Sequence, residues 1–220
     1  SLPVQGILMK LEHWQSILRT HRQVRSLLDQ SLPPEPAAGG ERTQIRVGLQ
    51  GLTQLQQLLL AEVGVLQKAL GGTYRDEEID EAVRPFVYLV DELVLRRLAD
   101  MEQADWPLLQ YRLYGIDSGG DRFYEVADEK LVQRGASPLV FELLHFCLTA
   151  GFEGRYAGNT ARLREYKERL AARIPTPEAM PALPAPVAQQ PLVHAFPWRY
   201  YAVSGFVVVT VPVLLWWLSR

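Results

Sequence analysis

Residues 86–95 read FVYLVDELVL and place two adjacent carboxylates, Asp91 and Glu92, inside an otherwise apolar segment. The segment belongs to a predicted helix that runs from about Asp76 to Met101. Adjacent helical residues are about 100° apart around the axis, so Asp91 and Glu92 cannot share one face. One of them is therefore expected at the edge of the core, near a partner such as an arginine or a helix N-terminus.

Three interpretations of Asp91 and Glu92 stay open on the sequence alone. The pair can fix the packing of its helix, dock another protein, or act as an acid–base pair in catalysis. Pro85 precedes the two carboxylates within the same predicted helix. It predicts either a kink or a second helix that restarts with proline at its first position.

The rest of the chain up to residue 174 shows helical spacing of its apolar residues and no long run of strand-like alternation. Helices are predicted at about residues 4–30, 44–71, 76–101, 105–114, 119–131, 137–151 and 159–170. Helix starts are indicated by Asp105 before Trp106 and Pro107, by Ser137 before Pro138, and by Asn159. The fold class is therefore predicted as all-α, with about seven helices.

Charge is unevenly distributed along the 220 residues, although the net charge is only −2. Residues 76–142 hold 16 acidic and 7 basic residues, whereas residues 155–173 hold 6 basic and 2 acidic residues. Neither block shows the basic stripe with interleaved aromatic residues that is typical of nucleic-acid binding, so no nucleic-acid partner is expected. The acidic block is expected to be solvated or to meet a basic protein. The basic block is interpreted as a solvated helix face or as a contact with anionic lipid.

Two C-terminal segments differ from the predicted helical domain at residues 1–174. The linker at residues 175–198 is rich in proline and alanine, with 7 prolines between residues 175 and 197, and predicts an extended tether. The segment at 199–220 contains 19 uncharged residues from Tyr200 to Leu218, enough to cross a bilayer as one helix. Aromatic side chains flank this predicted membrane anchor and a proline lies within it, as membrane helices tolerate: Tyr200, Tyr201, Pro212, Trp216 and Trp217.

The expected location is a membrane with the N-terminal domain in the cytoplasm and the C-terminus on the opposite side. No signal peptide is apparent at the start of the sequence, and Cys147 is the only cysteine, which suits a reducing compartment. Cys147 and His145 are both predicted as core residues of their helix. The small residues Ser204, Gly205 and Thr210 make self-association through the predicted span plausible, although they form no GxxxG motif.

Motifs for catalysis, metal binding or cofactor binding are not apparent in the sequence, so no enzyme, metal or cofactor is expected. The stretch GFEGRY at 151–156 stands out instead. Gly151 is predicted to end a helix, Phe152 to fold back against that helix, and Gly154 to allow a second tight turn. Glu153 and Arg155 are expected to pair with each other or with Asp91 or Glu142. A rigid connector and a binding loop are both open for this turn.

The order of these features resembles the TssL/DotU (IcmH) family. The residues that carry the resemblance are Asp91, Glu92, Trp106, Gly119, Gly120, Phe123, Glu142, Cys147, Leu148 and the stretch Gly151, Phe152, Glu153, Gly154, Arg155 and Tyr156. The resemblance covers about residues 80–170, and the C-terminal anchor agrees with it. It implies a cytoplasmic domain of two packed helical bundles and a single C-terminal span in the bacterial inner membrane.

The resemblance further implies a component of a type VI secretion system, or of the related type IVB system, without enzymatic activity. The implied partners are an IcmF/TssM-type inner-membrane protein and a baseplate protein of the TssK type. The expected function is therefore a scaffold that docks the cytoplasmic baseplate onto the membrane complex. The alternative is a tail-anchored enzyme or small-molecule sensor with an acidic cleft around Asp91 and Glu92.

Overall fold

The computed structural model describes residues 11–33, 49–98 and 106–175. These residues form seven α-helices and no β-strand, in agreement with the predicted all-α class. The helices are α1 (Leu11–Ser31), α2 (Leu49–Leu70), α3 (Asp76–Leu98), α4 (Leu109–Tyr114), α5 (Gly119–Val132), α6 (Pro138–Thr149) and α7 (Thr160–Ala171), with a 3-10 turn at Gly154–Tyr156.

The α1–α2 pair is held by apolar side chains at helical spacing. Ile17, Val24 and Leu28 of α1 are fully buried, and Leu59 and Leu66 of α2 are equally inaccessible. Burying one such side chain stabilises the fold by roughly 1.5–3 kcal/mol. Not every leucine of the pattern is internal, because Leu58 stays 43% exposed on the outer face of α2.

Helix α3 is the central element of the remaining structure. It packs on α6, which in turn packs on α7, and it also contacts α2, α4 and α5. The helix is continuous through Pro85, which is buried inside it, so the predicted restart at this proline does not occur. Helices that surround α3 on several sides explain why the apolar residues of 86–95 cover most of its circumference.

Of three predicted helix starts, those of α6 and α7 are confirmed and that of α4 is corrected. The helix expected from Asp105 begins at Leu109, and Leu108 supplies no side-chain cap. Ser137 precedes α6 with Pro138 in its first turn, but the serine side chain makes no capping hydrogen bond. The predicted cap at Asn159 is confirmed, since its Oδ1 accepts from the N–H of Arg162 at 3.1 Å.

Cys147 and His145 differ in burial although they lie two residues apart on α6. Cys147 is fully buried as predicted, and burial raises the pKa of its thiol well above the usual value. His145 is only half-buried, so its prediction as a core residue is wrong. Partial burial, together with the charge of Lys167, lowers the pKa of His145.

The predicted linker beyond residue 175 and the predicted membrane anchor at 199–220 lie outside the described residues. The anchor residues Tyr200, Tyr201, Pro212, Trp216 and Trp217 therefore stay predictions. Within 11–33, 49–98 and 106–175, none of the helices combines the length and the apolar character needed to span a bilayer.

Candidate functional site

Asp91 on α3 acts as a remote cap for α4. Only 1% of its surface is exposed, and its two oxygens accept hydrogen bonds from the indole Nε1–H of Trp106 at 2.7 Å and from the backbone N–H groups of Leu109 and Gln110 at 2.9 Å each. Leu109 and Gln110 are the first two residues of α4, whose N–H groups have no acceptor within the helix. A helix of six residues is too short to be stable alone, so Asp91 fixes its start.

Two opposing effects act on the ionisation of Asp91. Burial raises its pKa, whereas the hydrogen bonds from Gln110, Trp106 and Leu109 favour the charged carboxylate and oppose that rise. Within the described part of the chain, no arginine, lysine or histidine forms an ion pair with this carboxylate. Of the two partners that the sequence suggested, an arginine or a helix N-terminus, Asp91 has the helix N-terminus.

Glu92 binds a different segment, the turn at 151–156. Its oxygens accept from the backbone N–H groups of Glu153 and Gly154, each at 2.9 Å. Arg96, one helical turn further along α3, pairs with Glu92 and also donates to the carbonyl of Gly151. Adjacent carboxylates on one helix thus hold two separate parts of the backbone, α4 and this turn.

The end of α6 adopts the cap geometry predicted for GFEGRY. The N–H of Phe152 donates to the carbonyl of Cys147 at 2.9 Å, and that of Gly151 donates to Leu148 at 3.3 Å. This pair of bonds is the Schellman motif, for which Gly151 has the required positive φ of 104°. Phe152 is 2% exposed, and its ring centroid lies 4.3 Å from that of Phe123 on α5, so the side chain is buried against α5.

Gly154 brings the turn close to the start of α5. It has a φ of 51°, and a Cβ at this position would lie 2.8 Å from the carbonyl oxygen of Gly120 and 3.0 Å from the ring of Phe152. A side chain here would collide with backbone that cannot move aside independently. The contact between Gly154 and Gly120 therefore requires glycine at residue 154, which the sequence indicated only as a tight turn.

Glu153 and Arg155 do not pair with each other, which was one of the pairings that the sequence left open. The carboxylate of Glu153 accepts from the N–H of Gly158 at 3.3 Å, whereas Arg155 lies over the ring of Tyr156, 5.0 Å from its centroid, and 3.9 Å from a carboxylate oxygen of Asp128. The two side chains therefore have separate partners. Tyr156 is half-buried, so it belongs to the support of the turn.

These contacts enclose a cleft of about 650 Å³. The acidic cleft, as it is called below, lies between α3, the loop before α5, the first residues of α5 and the turn at 151–156. Four carboxylates line it, together with Leu95, Arg96 and Gln110: Asp91, Glu92, Asp117 and Glu153. Leu95 is 45% exposed, so the cleft combines a charged wall with an apolar position accessible to solvent.

The remaining candidate residues lie beside the cleft or away from it. Trp106 is 7% exposed and contributes through its hydrogen bond to Asp91. Glu142 is 1% exposed on α6 and lies near Tyr74. Burial is the main cause of the raised pKa of the Tyr74 phenol, and the charge of Glu142 adds to it. Glu142 does not line the acidic cleft, so the structure does not bring it together with Asp91 and Glu92.

Sequence reasoning missed Gln110, Asp117 and Arg96 as components of the cleft. Gln110 is only 5% exposed, a rare environment for glutamine, but nothing in its neighbouring sequence signals burial. Arg96 carries a weak signal, since it lies four residues after Glu92 on the same helix face. Across residues 11–33, 49–98 and 106–175, no group of three or more His, Cys, Asp or Glu side chains is arranged to hold a metal ion.

A comparison with protein families places the chain in a class of secretion-system proteins. The sequence profile described as "Type VI secretion system protein DotU" matches residues 41–220, which is more than half of the chain. The chain belongs to the DotU family, as the resemblance in the sequence indicated. Membership makes it a component of the type VI secretion membrane complex.

Two solved structures share the fold. DotU from Francisella novicida is 19% identical with a TM-score of 0.55, and the match covers 76% of this chain and 100% of that one. The cytoplasmic domain of TssL from Acinetobacter baumannii is 16% identical with a TM-score of 0.56, covering 75% of this chain and 98% of that one. No curated protein sequence matches the chain significantly.

Proposed function

We propose that the chain is a scaffold that docks the cytoplasmic baseplate onto the type VI secretion membrane complex, and that the acidic cleft is its docking site. The observation that carries this proposal is that two carboxylates of α3 bind backbone N–H groups on both sides of the cleft. Asp91 binds the start of α4, and Glu92 binds the turn at 151–156. The partners proposed are a TssK-type baseplate protein at the cleft and an IcmF/TssM-type protein in the membrane.

The hydrogen bonds from backbone N–H groups to Asp91 and Glu92 support docking more than catalysis. Asp91 accepts three hydrogen bonds, and Glu92 accepts two from the backbone and is paired with Arg96. A general acid or base must exchange its proton with a substrate, whereas these carboxylates are committed to holding protein segments. Fixing both walls of the cleft before a partner arrives lowers the ordering cost of association.

The accessible leucine at the cleft supports a protein partner. Interfaces place apolar contacts at their centre and charged groups around them, and Leu95 lies among the carboxylates of the acidic cleft while 45% exposed. Small-ligand pockets are mostly apolar and bury most of their ligand. The four carboxylates of this cleft fit a charged protein surface better than such a ligand.

Substitution at the cleft tests the docking proposal. Leu95→Lys puts a long cationic side chain into the cleft, and Leu58→Lys makes the same change at a leucine that is 43% exposed on α2. We expect quantitative co-purification from membranes to lose the baseplate protein at least fivefold with Leu95→Lys and to keep it with Leu58→Lys. Retention with Leu95→Lys, or equal loss with both variants, contradicts docking at the cleft.

The membrane part of the proposal rests on the sequence of residues 199–220. Inner-membrane anchoring through this segment, with the helical domain in the cytoplasm and the C-terminus in the periplasm, predicts that a chain ending at residue 198 fractionates away from membranes when expressed without its partners. A chain that stays with the membrane after this truncation contradicts anchoring by the proposed span. Self-association through the span is tested by crosslinking the full chain in detergent.

A further inference from the structure

The acidic cleft carries more negative than positive charge. Four carboxylates line it, and Arg96 is the one basic residue found along its described walls, which gives a formal charge of −3. Arg96 is itself committed to Glu92 and to the carbonyl of Gly151. The positive charge of Arg96 is therefore already paired, and the surplus negative charge belongs to Asp91, Asp117 and Glu153.

Asp117 and Glu153 are the two accessible carboxylates of this surplus. Asp117 is exposed and Glu153 is half-buried, and neither forms an ion pair with any residue that the structure describes. The backbone carbonyl of Asp117 accepts a hydrogen bond from Gln110, and this bond does not involve the Asp117 carboxylate. Asp117 can therefore turn toward a ligand without losing a side-chain contact to the described residues, and Glu153 can do so in exchange for its hydrogen bond from the N–H of Gly158.

An unsatisfied buried acceptor lies in the same wall. The Nε2–H of Gln110 donates to the carbonyl of Asp117 at 3.3 Å, whereas its Oε1 receives no hydrogen bond from the described residues. This oxygen lies against Gly119, where an added Cβ would lie 1.8 Å from it, and both Gln110 and Gly119 line the cleft. A buried acceptor without a donor destabilises the fold, and a donor supplied by a ligand removes that cost.

An anion is the competing ligand, because α5 starts at the cleft. The first N–H groups of a helix carry the equivalent of about half a positive charge and attract anions. The formal charge of −3 on the lining side chains is several times larger than this partial charge and has the opposite sign, so it repels anions. The balance of charge therefore selects a cation.

We propose that the acidic cleft binds the side chain of an arginine presented by the partner protein. This inference rests on the proposed docking function and names the group that the cleft recognises. A guanidinium offers five N–H donors in a fixed plane, which suits separate acceptors on Asp117, Glu153 and Gln110 better than a compact ammonium does. The apolar stem of the arginine packs along Leu95, at the accessible edge of the cleft.

The test uses a pair of probes that differ in charge but hardly in shape. N-acetyl-arginine methylamide and its neutral citrulline counterpart are titrated into the full chain in uncharged detergent micelles. Binding is followed through the backbone amide resonances of Gly120 and Gly154, which both line the cleft. We expect the arginine probe to bind with a Kd at least tenfold lower than the citrulline probe, and to weaken as salt increases.

Three matched variants locate the binding. Asp117→Asn and Glu153→Gln each remove one accessible charge from the cleft, and each is expected to raise the Kd of the arginine probe at least threefold. Glu168→Gln removes an exposed carboxylate on α7, outside the cleft, and is expected to leave the Kd unchanged. Equal affinity for both probes, or equal effects of all three variants, overturns the proposal.

The two proposals fail in different ways. If the arginine probe does not bind preferentially while Leu95→Lys still loses the baseplate protein, the cleft docks a partner without recognising arginine. If the probe binds as expected while Leu95→Lys keeps the baseplate protein, the cleft recognises a cation but is not the docking site. Each result contradicts one proposal and leaves the other in place.

Discussion

The α1–α2 pair and the acidic cleft are held together by different kinds of interaction. In the pair, buried aliphatic side chains such as Ile17 and Leu59 pack without any directional requirement. Around the cleft, Asp91 and Glu92 bind backbone N–H groups that lie between 18 and 62 residues away in the chain. The first region is stable because it excludes water, and the second has a defined shape because its donors and acceptors must meet.

The contrast between the two regions indicates where substitutions should be tolerated. Burial of apolar area depends on how much surface is removed from water, so a packed helix pair can adjust to small changes. A carboxylate that satisfies buried backbone donors has no substitute of equal geometry, since nothing else nearby accepts those bonds. Variants in the two regions should therefore separate loss of stability from loss of cleft shape.

The largest effect is expected for Asp91→Ala. It leaves three buried donors without an acceptor, and we expect the free energy of unfolding to fall by about 4 kcal/mol, with water recovering part of the loss. Urea unfolding of the full chain in detergent measures this change. Asp91→Asn keeps one accepting oxygen but turns an N–H₂ toward Gln110, so about half the loss is expected. A loss below 1 kcal/mol for Asp91→Ala would show that Asp91 is not the cap of α4.

Leu59→Ala should lower stability by about 3 kcal/mol through the cavity that it leaves in the α1–α2 pair. Unlike Asp91→Ala, it should leave the amide resonances of Gly120 and Gly154 in place, because Leu59 does not line the cleft. The same urea titration and an NMR spectrum of the folded chain check both points. Movement of the cleft resonances in Leu59→Ala would mean that the two regions are coupled.

Glu92→Gln should have an intermediate effect. Glutamine keeps one acceptor for the N–H groups of Glu153 and Gly154 but loses the charge that pairs with Arg96, so a loss of about 1–2 kcal/mol is expected. Hydrogen exchange of the Gly154 amide should accelerate more than that of Leu66 in α2. Equal acceleration at both sites would contradict a local role for Glu92 in holding the turn.

The smallest effect concerns His21 in the α1 half of the molecule. Burial, followed by the charge of Arg25, lowers its pKa, so below its ordinary value of 6.5 the unfolded chain takes up the proton more readily than the folded one. Stability should therefore fall as the pH drops from 7.5 through 6.5 toward the lowered pKa. His21→Phe should reduce this slope, and an unchanged slope would show that other groups cause it.

The two regions also differ in how far the sequence predicts them. The helices and the buried positions Ile17, Leu59 and Leu66 follow from spacing, because helix amphipathicity is a local property of the sequence. The cap at Gly151 was predictable for the same reason, since a Schellman motif is complete within six residues. Asp91 was recognisable as a carboxylate that needs a partner, but its partner lies in a segment that only the tertiary fold brings near.

The errors follow the same division. The start of α4 was placed at Asp105 because local capping residues are the usual signal, whereas the acceptor that starts this helix at Leu109 is Asp91 on another helix. The pairing of Glu153 with Arg155, one of those that the sequence left open, does not form because charge proximity in sequence does not specify direction in a tight turn. The buried amide of Gln110 gave no signal, since its environment consists of α3, α5 and the loop between α4 and α5.

The most direct test of docking at the acidic cleft is site-specific photo-crosslinking in cells that assemble the secretion system. A photo-reactive phenylalanine derivative replaces Leu95 at the acidic cleft or Leu58 on α2, two leucines of nearly equal exposure. We predict a crosslinked adduct with the baseplate protein from residue 95 and none from residue 58. The absence of an adduct at 95, or equal adducts from both positions, would contradict docking at the acidic cleft.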